Sequence, residues 1–207
     1  MPLPSLYPII DFSSFAAKPD PIAAIVSYAE ELLQAGVTLI QLRDKSLGDP
    51  GQVNTTRRFL SCARELRRIT LDKATLIIND RVDLCLAADA DGVHLGQDDL
   101  SPEAARRIFD SISHPSQSLG VSTQRVPHPF ASTQQRSTEI AGERVGEKLI
   151  GFSTHNLAQI READALPVDY IAIGPVFATG SKANPDPVVG IEGVKQARQA
   201  TSKPLVA

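Results

Sequence analysis

Gln41-Leu42-Arg43-Asp44-Lys45 places an amide, a guanidinium and an ammonium at alternate positions. Side chains two apart on a strand share a face, and a face this polar is tolerated only where the strand runs out into water. Two cations converging beside an amide ask for an anion with several oxygens, which arginine grips in bidentate fashion and lysine as a point charge. The plainer reading pairs Arg43 and Lys45 with acids of their own loop. Two further apolar runs end in Asn79-Asp80 and in His94-Leu95-Gly96-Gln97-Asp98-Asp99. If those runs are neighbouring strands, Asp80 meets Asp98 or Asp99.

Two carboxylates beside two cations, with no cysteine cluster, suit a hard cation, most simply Mg²⁺, completed by water and phosphate oxygens. His94 lacks a second histidine at ligand spacing and reads as a hydrogen-bonded residue of the mouth. Thr179-Gly180-Ser181-Lys182 offers either a second anion-binding loop or a plain connection. Together these runs describe a pocket for a Mg²⁺-bound diphosphate. Such a group is there in order to leave, so the expected reaction ionises a carbon–oxygen bond and hands the cation to a nucleophile.

The elements that must position these residues alternate between β-branched runs and helical periodicity, which predicts βα units on a parallel sheet. Strands are expected over Leu6 to Asp11, Val37 to Gln41, Ala74 to Ile78, Gly92 to Leu95, Leu149 to Phe152, Tyr170 to Ile173 and Pro204 to Val206. Asp20-Pro21 and Ser101-Pro102 read as helix starts, and Gly36 as a helix stop. Val53, Phe59, Leu60, Ala63 and Leu66 make one apolar stripe on the helix expected after the second strand, and Arg57, Arg58, Arg64, Arg67 and Arg68 are expected to form a solvated face. The stretch 111–146, rich in Ser, Thr, Gln, Arg and Pro, breaks the rhythm and reads as a surface insertion within one barrel domain spanning 1–207.

A net charge of -3 excludes a generally cationic, nucleic-acid-binding surface. No apolar run approaches the roughly 20 residues of a membrane span, and the expected location is cytoplasmic. Cys62 and Cys85 read as reduced, buried fillers.

Five blocks resemble thiamine-phosphate synthases, in family order: Gln41 to Lys45, Ile78 to Asp80, Asp91 to Asp99, Gly151 to His155, and Asp169 to Phe177. The resemblance implies a TIM-type (β/α)₈ barrel, a transferase that joins hydroxymethylpyrimidine diphosphate to a thiazole phosphate. It implies that Gln41, Arg43, Lys45 and Asn79 hold the pyrimidine diphosphate, that Asp80 and Asp99 bind Mg²⁺, and that Lys182 reaches the diphosphate from the other side. Thr179, Gly180 and Ser181 match part of the thiazole-phosphate site. Ser153 lies 21 residues before Gly174 and fits the family's serine, whereas Ser122 lies 52 before it. Ser153 is expected to hydrogen-bond to the diphosphate or the pyrimidine amine rather than attack, since no base is expected beside it.

A closed barrel usually takes about 250 residues, so 207 with an insertion leaves room for about seven strands. The expectation is therefore a barrel that stops after its seventh strand, as a fragment of a longer protein or as an inactive form. The rivals are a thiazole tautomerase-like paralogue and a catalytically dead, ligand-binding barrel. Partners are expected to be small molecules, with a homo-oligomer left open.

Overall fold

A computed structural model describes residues 3–47, 55–113, 147–178 and 186–207. The β/α alternation holds throughout: β1 (Ile9–Asp11), α1 (Pro21–Gln34), β2 (Leu39–Arg43), α2 (Thr55–Thr70), β3 (Thr75–Asn79), α3 (Val82–Ala87), β4 (Gly92–Leu95), α4 (Pro102–Ser113), β5 (Leu149–Thr154), α5 (Leu157–Asp164), β6 (Tyr170–Ile173), α6 (Gly190–Ala200) and β7 (Leu205–Val206). All seven strands pair parallel in the order of the chain.

Helix starts follow the chemistry of their caps. The Asp20 carboxylate accepts from the Ala23 amide at 3.0 Å with Pro21 at the first helical position, and the Asn156 side chain does the same for Gln159 at 3.0 Å. At the end of α1, Gly36 sits at φ +86° and the Val37 amide returns to the Leu32 carbonyl at 3.0 Å. This closure places Val37 in the helix cap, so β2 begins at Leu39 rather than Val37 and carries Arg43 within the strand. Ladder pairing of the first strand likewise starts at Ile9, with Leu6 exposed.

Alternate strand residues face opposite ways. Ile40, Leu42, Leu76, Ile78, Val93, Leu95, Ile150, Phe152, Ile171 and Ile173 pack with the helices in one apolar core, in which Cys62 and Cys85 are buried free thiols. The opposite face of the sheet carries Gln41, Arg43, Asn79, His94, Ser153 and Tyr170. That face is curled inward. The hydroxyls of Tyr7, just before β1, and of Tyr170 on β6 are 2.8 Å apart, whereas five strand spacings of about 4.8 Å in a flat sheet would separate them by about 24 Å. Gly151 makes the space: a Cβ there would lie 2.0 Å from Tyr170 Cζ.

The amino ends of the strands are clamped twice in the same way. Asp91, just before β4, accepts the Leu76 amide of β3 at 2.8 Å and pairs with Arg67 of α2 at 3.1 Å. Asp169, just before β6, accepts the Ile150 amide of β5 at 2.7 Å and pairs with Arg106 of α4 at 2.8 Å. The arginine face of α2 is thus only partly a solvated one. Arg67 is tied to Asp91, Arg64 donates to the Ala87 carbonyl at 3.2 Å, and Arg58 lies over the Phe12 ring. Helix α4 extends to Ser113, so 111–113 belong to a helix and the rest of the expected insertion, 114–146, lies outside the described residues.

Candidate active site

The reactive groups gather where the strands end. Arg43 closes β2, Asn79 closes β3, and Asp80 follows at φ +62°, a left-handed backbone that asparagine and aspartate tolerate better than other side-chain-bearing residues. Two short bonds hold that turn: the Asp80 amide donates to the His94 carbonyl at 2.7 Å, and the Arg81 amide to the Asn79 carbonyl at 2.7 Å. Beyond β4, Asp99 accepts the Gly96 amide at 2.7 Å, which folds the loop back toward β3.

The two acids therefore face each other. Burial raises the Asp80 carboxyl to about 7, helped by the hydrogen bond and negative charge of Asp99 and opposed by the positive charges of Arg43 and Lys45. Two close carboxylates with cations at their side are a donor set that fits a hard divalent cation. Among the described residues no group of three or more His, Cys, Asp or Glu could hold a metal, so a cation here would need further oxygens from a ligand. Asp98 is exposed.

Arg43 and Asp11 are register partners on adjacent strands, with Arg43 Nε 3.2 Å from the Asp11 carboxylate. The contact is an ion pair without hydrogen-bond alignment, and the buried Nε has no hydrogen-bond partner. Asp11 in turn accepts from the amide and hydroxyl of Ser13 at 3.1 and 2.6 Å. Lys45 is exposed at the rim.

Beneath this charged rim lies a buried polar layer. Gln41 Nε2 donates to Tyr7 Oη at 2.8 Å, Tyr7 Oη meets Tyr170 Oη at 2.8 Å, Tyr170 Oη meets His94 Nδ1 at 3.1 Å, and His94 Nε2 meets Ser153 Oγ at 2.8 Å. The His94 and Tyr170 rings also stack with centroids 5.6 Å apart. Burial drives His94 down to about 4, against the pull of Asp99, so the imidazole is neutral at pH 7. It raises the Tyr7 phenol to about 12 and Tyr170 well above its ordinary value, so both stay protonated. The Gln97 side chain reaches over from the β4 loop to the Ser153 carbonyl at 2.5 Å.

A family model described as thiamine monophosphate synthase matches residues 6–139 and 133–207 of this chain. The chain belongs to that family. It is 42% identical over 205 residues to the thiamine-phosphate synthase of Koribacter versatilis, covering 99% of this chain and 77% of that protein. With the thiamine-phosphate synthase of Vibrio campbellii it shares 35% identity over 187 residues, covering 90% of this chain and 71% of the relative. The thiamine phosphate pyrophosphorylase structure from Pyrococcus furiosus superposes with a TM-score of 0.64 at 26% identity, covering 96% of this chain and 72% of that one. The curled sheet is accordingly the α/β, TIM-like fold of thiamine monophosphate synthases. No helix among the described residues is long and apolar enough to cross a membrane.

Within this member of the thiamine monophosphate synthase family, Arg43, Lys45, Asn79, Asp80 and Asp99 come together at one mouth, as their types and spacing suggest. Gln41 lies one layer deeper, 2% exposed, with its amide nitrogen given to Tyr7. Ser153 sits at that mouth beside a histidine, where the spacing of the chain suggests no base. Thr179, Gly180, Ser181 and Lys182 lie outside the described residues, as does Ser122. Tyr7 and Tyr170 are the polar residues that sequence reasoning misses. The only signal for them is an aromatic hydroxyl inside an otherwise apolar strand run, where an unpartnered O–H would be costly.

Proposed function

We propose that this chain makes thiamine phosphate, joining hydroxymethylpyrimidine diphosphate to a thiazole phosphate with release of diphosphate. The observation that carries the reading is the facing pair Asp80 and Asp99, set beside Arg43 and Lys45 at the carboxyl ends of the strands, where barrels of this type place their chemistry. The carbon–oxygen bond to the diphosphate breaks, the electron-rich pyrimidine carries the resulting cation, and the thiazole nitrogen supplies the electron pair of the new carbon–nitrogen bond.

Asp80 and Asp99 would hold Mg²⁺, which when bound neutralises charge on the departing diphosphate. Arg43 would grip the diphosphate oxygens with its guanidinium fork, Lys45 would add a point charge at the rim, and Asn79 would donate its amide. Gln41 would support the pyrimidine end from the layer beneath. Ser153 would donate its hydroxyl to the leaving group. Lys182 is assigned to the diphosphate, and Thr179, Gly180 and Ser181 to the thiazole phosphate, by the family resemblance.

Donors aimed at developing charge in a site shielded from water are worth several kcal/mol each. The test is calorimetry of the 207-residue chain with the pyrimidine diphosphate, with and without Mg²⁺, followed by an assay for thiamine phosphate. Binding should require Mg²⁺ and be lost in Asp80→Asn, a change that keeps the left-handed turn. Metal-dependent binding that survives Asp80→Asn would remove the site assignment.

A further inference from the structure

We propose that Gln41, Tyr7, Tyr170 and His94 are positioning residues that form a one-way hydrogen-bond relay, committing the Ser153 hydroxyl hydrogen to the ligand. The direction follows from counting hydrogens. Gln41 Nε2 is a donor only, so Tyr7 Oη accepts at that contact. The Tyr7 hydrogen then goes to Tyr170 Oη, 2.8 Å away. Tyr170 cannot give its own hydrogen back along the same contact, and its other partner is His94 Nδ1 at 3.1 Å. His94 Nδ1 therefore accepts, the neutral ring carries its hydrogen on Nε2, and Nε2 donates to Ser153 Oγ at 2.8 Å. The serine's own hydrogen is left pointing away from the histidine. With Gln41 Nε2 held toward Tyr7, the reverse run would make Tyr7 Oη accept from both neighbours and leave its own hydrogen without a partner in this relay, in a layer where Gln41 is 2%, His94 7% and Tyr170 1% exposed.

The same answer comes from the other end. A diphosphate oxygen only accepts, so a serine that serves it must donate, and every hydrogen behind it must then run in the sense just given. This catalytic consequence rests on the function proposed above; the relay's direction does not. It also settles two points about Ser153. Beside a histidine that donates to it, the serine has no general base and is not a nucleophile. Of the two ligand groups within its chemistry, the diphosphate oxygen is the one it serves.

The direct test is the tautomer of His94 in the ligand-free protein. Long-range proton–nitrogen correlation NMR on the ¹⁵N-histidine-labelled 207-residue chain, with His94→Asn to identify the signal, should show Nε2 protonated and Nδ1 bare. The opposite tautomer would mean that Gln41 turns its carbonyl toward Tyr7 and that Ser153 donates to His94, and would overturn the proposal.

Kinetics with the pyrimidine diphosphate supply the second test. Tyr170→Phe and Ser153→Ala should each lower kcat/KM roughly 10- to 100-fold, the usual size for one hydrogen bond to a charged group. The double variant should be no worse than Ser153→Ala, because the tyrosine acts through the serine. Losses that multiply would show that Tyr170 acts on its own and would overturn the relay. Absence of turnover in the parent chain would count against the proposed reaction, while the tautomer measurement, which needs no substrate, still decides the relay.

Discussion

The phenol oxygens of Tyr7 and Tyr170 lie 2.8 Å apart, although 163 residues separate them in the chain. Their rings meet edge to face with centroids 5.9 Å apart, so the beginning of the sheet rests on its sixth strand. The contact depends on a missing side chain at position 151.

Gly151→Ala is therefore expected to destabilise the protein by about 1–3 kcal/mol, the usual cost of forcing an extra carbon into a packed site. With no tryptophan in the chain, tyrosine fluorescence can follow urea unfolding, and the midpoint should fall with little change in slope. An unchanged midpoint would mean that the Tyr170 ring does not lie over Gly151.

His94 and Asp80 should give opposing acid responses. The ordinary histidine value is 6.5 and the folded one about 4, so between them the unfolded chain takes up a proton that the folded one refuses. Stability falls as pH drops through that window, by on the order of 3 kcal/mol in full. Asp80 does the reverse. Its ordinary value is 3.8 and its folded value about 7, so stability from its retained proton is complete below the lower figure and is lost as pH rises through the higher. In metal-free buffer Asp80→Asn should steepen the loss of melting temperature on acidification, and His94→Asn should reverse its sign. Parallel melting curves for all three proteins would refute both assignments.

If Mg²⁺ binds as proposed, it must displace the proton held on Asp80. Its affinity should rise with pH and level off above about 7, the value to which Asp80 is raised. Calorimetry at pH 6 in buffers of different ionisation enthalpy should show proton release on binding. Asp80→Asn should weaken binding and abolish the release.

Asp91→Ala and Asp169→Ala should each cost about 1–3 kcal/mol, because each strands a partly buried arginine and a strand amide. KM for the pyrimidine diphosphate should not move, since both clamps sit at the amino ends of the strands. The two losses should add, as expected of separate sites sharing no partner. A change in KM would show that the base of the sheet is coupled to its mouth.

The charged rim was readable in the sequence because its residues cluster within single runs: Arg43 and Lys45 two apart, Asn79 next to Asp80, and Asp99 in the loop after His94. Strand type and order were readable for the same local reason. The polar layer was not. Tyr170 opens an apolar strand, Tyr7 stands before one, and the partner of each is set by the curl of the whole sheet. His94 and Ser153 are 59 residues apart, and the contact between them exists only because β4 and β5 pair in register with His94 opposite Gly151. The shift of the second strand has a smaller cause. Val37 looks like a strand residue, but the left-handed Gly36 turns its amide back into the preceding helix.

The chain leaves the described frame at Ser113, the end of α4, and returns at Glu147, just before β5. Helices run back against the strands, so both points lie at the base of the sheet, where Lys148 is fastened to Asp89 and to the Ala90 carbonyl at 2.8 Å each. Arg106 closes the same corner on the Lys148 carbonyl at 2.9 Å. The longest tract between consecutive elements therefore enters and exits at the end of the sheet opposite Asp80, Asp99 and Ser153. A graft joined at Ser113 and Glu147 would be anchored at that far end of the sheet, away from Arg43, Asp80 and Ser153.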